Sequence, residues 1–359
     1  MNNYLEEKLE QRRKNNTIRS LRTYEGFADF FSNDYLSLAD YITPENTAPS
    51  PGSSRLIAGT TPAHLHLEQL LADRFDEASA LLFNSGYTAN LGVLSCIPQR
   101  GDIILFDERS HASIKDGIRL SLAKGIKFKH NDAEDLEKKL EQHQHQRCFV
   151  VTEGLFSMDG TFGALSSIDH LCHSYEANLI VDEAHSGGIT GENGAGYCQQ
   201  LNIQPFLRIF TLGKAFGSHG AFVTGNQSTI DYLINFSRPF IYTTALPERI
   251  VSRTREIWKA IDFNERQKLL QKNVTYFNQK FKAFDISSEA LSPIKMVRCS
   301  SIEKLKALEQ RAHEHKIGLK IIYPPTVPDG ESSIRITIHA NQDQQSFDEL
   351  YALMHQELW

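Results

Sequence analysis

A chain of 359 residues, 40% hydrophobic and 23% charged, has enough length and apolar content for two packed domains and excludes a disordered or fibrous class. With 38 Lys and Arg against 44 Asp and Glu the formal net charge is −6, and the scattered positive residues argue against a nucleic-acid surface. Five cysteines lie far apart with no C-x-x-C, which fits reduced thiols in the cytoplasm.

The N-terminal residues are polar, with Leu5 and Leu9 on a possible short helix and no apolar core of a signal peptide. Phe27 to Phe31 reads as a strand, followed by the loop Ser32-Asn33-Asp34-Tyr35-Leu36 and a Pro-, Ser- and Gly-rich loop from Pro44 to Gly59. Thr61-Pro62 predicts a helix start, and Leu67, Leu70, Leu71 and Phe75 mark its apolar stripe. The longest uncharged run, Ala78 to Gln99, holds too many polar residues and glycines for a membrane span, so no membrane association is expected.

Short apolar runs then alternate with helical patterns. Ile103–Phe106 ends at Asp107, Cys148–Val151 at Thr152-Glu153-Gly154, Leu179–Val181 at Asp182, Leu207–Phe210 at Thr211, and Ala221–Val223 at Thr224-Gly225. Runs this short and continuous predict strands buried on both faces, in an α/β fold with a mostly parallel sheet. Their polar residues gather at the C-terminal strand ends, where such sheets bind ligands. Beyond about residue 250 the pattern predicts longer amphipathic helices and a smaller α+β domain. Ser300-x-x-Glu303 reads as a capping box and Gly318 as a stop; Ile334–Ile338 alternates like a half-exposed strand; Phe347, Leu350, Tyr351 and Met354 mark the last helix. The expected division is an N-terminal segment 1–40, a large domain 41–250 and a small domain 251–359.

Two strand ends carry chemistry. Leu179–His185 delivers Asp182 and then His185 to one edge of the sheet. Its D-E-A-H string suggests a nucleotide-driven helicase, but no Walker A loop accompanies it, since Gly213-Lys214 is followed by Ala215. Gly194-x-Gly196 lacks the third glycine of a dinucleotide fingerprint, and His64-x-His66 and His143-x-His145 are isolated pairs, so no metal site is expected. Lys214, between Gly213 and Gly217, directly follows a strand with room for a bulky adduct. A strand-end carboxylate such as Asp182 is what a pyridinium nitrogen needs as partner, so pyridoxal 5′-phosphate (PLP) competes with a surface lysine and a structural aspartate. The Gly-containing turn Asn84–Asn90 could offer backbone N–H groups to a phosphate, and His111 could stack on a ring, although any βα turn and many structural histidines look the same.

Together these segments resemble the α-oxoamine synthases, a fold-type I PLP family. The matching blocks run from about Arg19 to Ala340: Ser32–Leu36, Ser53-Ser54-Arg55 with Gly59-Thr60 and His66-x-Glu68, Ser85-Gly86-Tyr87, Ser110–Ser113, Thr152–Gly160, Val181–His185 and Gly213-Lys214. His130-Asn131-Asp132, Ile241–Thr244 and Pro324–Pro328 point, within the family, to the member that joins L-alanine to pimeloyl-CoA, giving 8-amino-7-oxononanoate, CoA and CO2. The resemblance implies that Lys214 holds PLP as a Schiff base and moves the substrate Cα proton. It implies that Asp182 pairs with the pyridinium nitrogen, His111 stacks on the ring, and Ser157 and His185 bond the phenolic oxygen. Gly86, Tyr87 and Thr211 would hold the cofactor and its phosphate, with Thr244 reaching in from the second subunit of a homodimer that shares its active sites. Arg19, His111 and Thr326 match substrate-contacting positions, and Asn33 and Arg335 match positions near the substrate carboxylates. Ser186 stands where family members often have Gly, and His219 replaces a smaller residue. A sibling enzyme using glycine or serine with another acyl-CoA, a PLP enzyme of another reaction class, and a non-catalytic protein that kept the fold are the alternatives.

Overall fold

The computed structural model describes residues 10, 13–15, 27–31, 33–38, 52–299, 301–322 and 332–358. Its centre is a seven-stranded sheet built from β1 (Ser79–Phe83), β2 (Ile103–Asp107), β3 (Lys124–Phe128), β4 (Cys148–Glu153), β5 (Asn178–Asp182), β6 (Leu207–Thr211) and β7 (Ala221–Gly225). The spatial order is β1-β7-β6-β5-β4-β2-β3, with β7 antiparallel to both neighbours and the other pairs parallel.

The central strands are mostly apolar because both faces are covered, the exception inside β6 being the buried Arg208, which lies over the Phe75 and Phe210 rings. Ile104, Phe149 and Val151 pack into one apolar cluster, with Val93 and Leu94 of the helix Gly86–Cys96. Ile103, Leu105 and Val150 point the other way, against Leu165 and Ile168 of the helix Leu165–Ser174. The helix Pro62–Arg74 begins at Thr61 with Pro at its first position and buries Leu67 and Leu71, with Phe75 buried at its cap. Phe75 lies 4.5 Å from Phe210 and 5.0 Å from Phe222, centroid to centroid.

The second sheet holds Lys320–Ile322, Ser333–Thr337 and Ile294–Arg298 in that order, all antiparallel, beside the helices Ile302–Glu314 and Gln344–Leu358. The helix Glu248–Ala260 runs across residue 250 and buries Val251, Ile257 and Trp258. Ser333–Thr337 is buried at every position, not half-exposed as its alternation suggests. Ile334 and Ile336 join the core, and the intervening Arg335 faces Asn33 and the Ser157 carbonyl, so neither side meets water.

The strand near residue 30 is only Ala28–Asp29, paired in parallel with Ile317–Gly318. Gly318 therefore belongs to a strand, and the preceding helix ends at Glu314. Its N-cap is Ser301, whose Oγ accepts from Lys304 N at 3.2 Å, one residue beyond the expected cap at Ser300, which lies outside the described residues. The expected short helix at Leu5 and Leu9, the first half of the loop from Pro44 to Gly59, and Pro324–Pro328 also lie outside them. Two further bonds tie the early segment to the small sheet: Thr337 N to Phe30 O at 2.9 Å and Ala340 N to Tyr35 O at 2.7 Å. That attachment carries Asn33 and Tyr35 over the C-terminal edge of the large sheet. All described cysteines are free thiols, and among the described residues no helix is long and apolar enough to cross a membrane.

Candidate active site

Three neighbouring strands deliver the polar groups. Glu153 ends β4 and Asp182 ends β5, opposite each other in register; Thr211 ends β6, and Lys214 follows in the turn to β7. The turn is held by bonds of 2.9 Å from Leu212 N to Gly220 O, Gly217 N to Lys214 O and Ser218 N to Leu212 O. Gly217 sits at φ +61, and a Cβ there would run into Leu38. Phe216 anchors the turn from below; it is 1% exposed and lies 4.7 Å from the Trp258 ring.

The Lys214 Nζ lies 2.7 Å from Nε2 of His185. Burial pulls the Lys214 amine down from 10.5 to about 8, against the opposing pull of Asp182 and Glu153 and with some help from Arg335. His185 is held well below its ordinary value by burial first, then by Lys214, Arg335 and His111, so it is neutral at physiological pH. Its Nδ1 meets the Tyr35 hydroxyl at 2.7 Å, and that hydroxyl lies 3.1 Å from Asn33 Oδ1.

Asp182 is 5% exposed and fully engaged on its inner side. Its Oδ1 accepts from Ala184 N at 2.9 Å and its Oδ2 from Asn90 Nδ2 at 2.7 Å; the same Asn90 nitrogen reaches Ser113 Oγ at 3.0 Å. Ser113 Oγ in turn touches His111 Nδ1 at 2.8 Å, and Glu153 Oε1 accepts from His111 N at 2.6 Å. Burial, and next to it Asp182, raise the Glu153 carboxyl well above the usual range. Asn90 and Glu153 were not singled out from the sequence; a buried amide on the apolar helix face Ala89–Leu94 and a second acid at a strand end were the available signals.

Arg335, on a strand of the small sheet, reaches the early segment and the loop after β4. Its Nε donates to Ser157 O at 2.8 Å, Nη1 to Thr337 Oγ1 at 3.1 Å and Nη2 to Asn33 Oδ1 at 2.9 Å. Asn33, Ser157, His185 and Arg335 thus lie in one linked cluster, with His185 joined through Tyr35.

Gly86 opens the helix Gly86–Cys96, whose N-cap Ser85 takes Thr88 N. The N–H groups of Gly86 and Tyr87 are first-turn donors with no helical acceptor, a suitable place for a phosphate. Gly86 borders Thr211: a Cβ on it would sit 3.7 Å from Thr211 Oγ1. The Thr244 carbonyl accepts from Asn84 Nδ2 at 2.9 Å, at the mouth of the same turn. Tyr87 is exposed; its hydroxyl bonds Asp116 and its ring stands edge-on to His111 at 6.3 Å. Arg19 and Thr326 lie outside the described residues.

Several motif residues are braces instead. His130 joins Asp107 at 3.1 Å and Thr161 Oγ1 at 3.0 Å, and Asn131 holds Phe162 O and Ala164 N. Glu183 of the D-E-A-H string accepts from Ser186 Oγ at 2.6 Å, Tyr197 N at 2.6 Å and Cys198 N at 3.0 Å, which occupies it with its own loop. Among the described residues no cluster of His, Cys, Asp and Glu could hold a metal ion.

The donor set fits PLP: a buried amine with a lowered pKa, a carboxylate in electrostatic reach of it, and free helix N–H groups beside a threonine hydroxyl. The family model for aminotransferase class I and II matches residues 27–352. The 8-amino-7-oxononanoate synthase 2 of Bacillus subtilis strain 168 is 35% identical, over 99% of this chain and 97% of its own. Two solved structures are similar over most of their lengths. The 8-amino-7-oxononanoate synthase of Francisella tularensis has a TM-score of 0.76 at 29% identity, covering 93% of this chain and 98% of its own. A high-resolution structure of SPT with a PLP internal aldimine has a TM-score of 0.86 at 28% identity, covering 91% and 86%.

Proposed function

Since the chain belongs to the aminotransferase class I and II family, and is a PLP-dependent acyltransferase of the α-oxoamine synthase type, we propose that it condenses L-alanine with pimeloyl-CoA to give 8-amino-7-oxononanoate, CoA and CO2. The observation that carries the reading is Lys214: a buried amine with a pKa of about 8, 2.7 Å from neutral His185 and within the field of Asp182.

Bound here, PLP supplies an electron sink for the pair left when a bond to the substrate Cα breaks. Lys214 is the side chain that holds it covalently. Asp182, fixed by Asn90 and Ala184 N, keeps a negative charge available to the pyridine nitrogen. Gly86, Tyr87 and Thr211 would bind the phosphate, with Thr244 contributed across a homodimer. His111 would cover the ring, and Ser157 and His185 would serve the phenolic oxygen. Near neutral pH a fraction of Lys214 is the free base, and its Nζ takes the Cα proton and later returns it. Arg335 and Asn33 hold a substrate carboxylate, the guanidinium being already oriented by Ser157 O and Thr337. Arg19 and Thr326 complete the substrate contacts.

The test is purified protein with PLP, L-alanine and a series of acyl-CoAs, followed by CoA release and product mass. Pimeloyl-CoA should give the highest kcat/KM, and Lys214→Ala should abolish turnover. A Lys214→Ala protein of near wild-type rate would overturn the assignment. A second reading, serine with a long acyl-CoA, has one observation in its favour: the higher TM-score to SPT than to the Francisella tularensis enzyme. L-serine in the same panel separates the two.

A further inference from the structure

We infer that Tyr35 is a positioning residue for His185, its hydroxyl changing between donor and acceptor toward Nδ1 as Lys214 loses and gains its proton. This rests on the proposed role of Lys214 as the amine that moves a proton.

The argument starts at Arg335. A guanidinium only donates, so the Asn33 atom 2.9 Å from Nη2 is the amide oxygen. That same oxygen lies 3.1 Å from the Tyr35 hydroxyl, which is 2.7 Å from His185 Nδ1. Tyr35 has one proton and two acceptors within reach. It is fully buried and its pKa is pushed up to about 12, chiefly by burial, so it keeps that proton at neutral pH.

His185 stays neutral, so one ring nitrogen bears hydrogen and the other a lone pair. When Tyr35 donates to Asn33, it accepts from Nδ1–H, and Nε2 offers a lone pair to the Lys214 ammonium. When Tyr35 donates to Nδ1, the hydrogen sits on Nε2, which then donates to a neutral amine or to an anionic oxygen. The imidazole therefore matches both states of its 2.7 Å neighbour without acquiring charge. Each change of tautomer exchanges one ring proton with water and rotates one O–H, so no net proton is stored. A phenylalanine would leave Nδ1 without a partner in a buried site. The other groups acting on the pair are Asp182 and Glu153 from their strands, Arg335 from the small sheet and His111 from its helix cap.

The experiment uses the full chain free of cofactor, with 15N-labelled histidine, and follows the two His185 ring nitrogens between pH 6 and 10. In the wild type the protonated-type resonance should pass from Nδ1 to Nε2 as Lys214 titrates. In Tyr35→Phe the exchange should be lost. The pH midpoint for uptake of PLP, read by visible absorbance, should fall by about half a unit or more, because an unpartnered Nδ1 keeps the lone pair, the hydrogen stays on Nε2, and the ammonium then finds no acceptor there. In Asn33→Ala, which leaves Tyr35 in place, the hydroxyl has only Nδ1 to donate to, and the Nε2–H form should persist at every pH. A wild-type tautomer that does not change with pH, or Tyr35→Phe resonances and midpoint equal to wild type, would overturn the inference. A protein that takes up no PLP at any pH would instead overturn the proposed function, and the nitrogen readout would still decide the role of Tyr35.

Discussion

Glu153 and Asp182 stand opposite each other at the ends of adjacent parallel strands, two buried carboxyls in one register. Burial first, and then the neighbouring Asp182, raise the Glu153 carboxyl well above its usual range, while Asn90 and Ala184 N bind the Asp182 carboxylate. Glu153 serves by accepting from His111 N.

Glu153→Gln keeps that acceptor and mimics a protonated acid, so kcat/KM should stay within about threefold of wild type. Glu153→Ala should lower it roughly 10- to 100-fold by releasing His111. Because the folded-state pKa is raised, wild-type stability falls as pH rises above the unfolded value of 4.5. The Gln variant escapes this loss, so its advantage in urea melts should be absent near pH 4 and grow toward neutrality.

Asn90→Ala removes a bond to the Asp182 carboxylate, and such charge-assisted bonds contribute about 1.5–3 kcal/mol. We expect roughly tenfold weaker PLP binding in absorbance titrations, with the fold retained. Binding equal to wild type would show that Asp182 is held well enough by Ala184 N alone.

Arg335→Lys cannot reproduce three directed bonds to Ser157, Thr337 and Asn33 from one ammonium. The KM for the amino acid should rise by about tenfold or more, while PLP absorbance stays close to wild type. A change in the acyl-CoA KM alone would place the guanidinium at the other substrate.

The strand ends were legible because continuous apolar runs stop abruptly at Asp107, Glu153, Asp182 and Thr211, and a parallel sheet gathers such ends at one edge. β1 and β3 were not read: Ser79–Phe83 is the start of a long uncharged run in which the Asn84–Asn90 turn stands out, and Lys124–Phe128 is an exposed edge strand rich in lysine. Lys214, Asp182 and His185 could be named from their positions, but their second layer could not. Asn90 reaches Asp182 across 92 residues, Tyr35 reaches His185 across 150 and Arg335 reaches Asn33 across 302. Those separations are closed by the pairing of Ala28–Asp29 with Ile317–Gly318 and by helix packing, which no local pattern encodes.

The two glycines beside Lys214 differ in what they tolerate. Around Gly213 nothing lies nearer than 3.8 Å to an added Cβ, whereas at Gly217 φ is +61 and the Cβ meets Leu38. Gly213→Ala should melt like wild type, and Gly217→Ala should lose about 2 kcal/mol or more in denaturant titrations. Equal losses would mean that the turn is softer than its three backbone bonds imply.

Lys214 itself is a stability defect when no cofactor is bound. Its folded pKa of about 8 lies below the unfolded 10.5, so between these values the unfolded chain binds more protons and stability rises with pH. Below pH 8 both states are protonated and the cost of the buried ammonium is complete, at most about 3 kcal/mol and less where water reaches the side chain. Lys214→Met removes that cost but leaves His185 Nε2 without its partner, which returns about 1 kcal/mol. The cofactor-free variant should therefore be about 1–2 kcal/mol more stable than wild type at pH 7, with the advantage shrinking above pH 8, gone roughly one pH unit below 10.5, and reversed by about 1 kcal/mol near pH 10.5, where only the lost His185 bond remains. Adding PLP should reverse the order, because only the wild type can hold the cofactor covalently and gain its binding free energy. Urea titrations at pH 7 and pH 10, with and without PLP, test all four states. An advantage independent of pH would mean that the amine keeps its ordinary pKa and is not poised to move a proton.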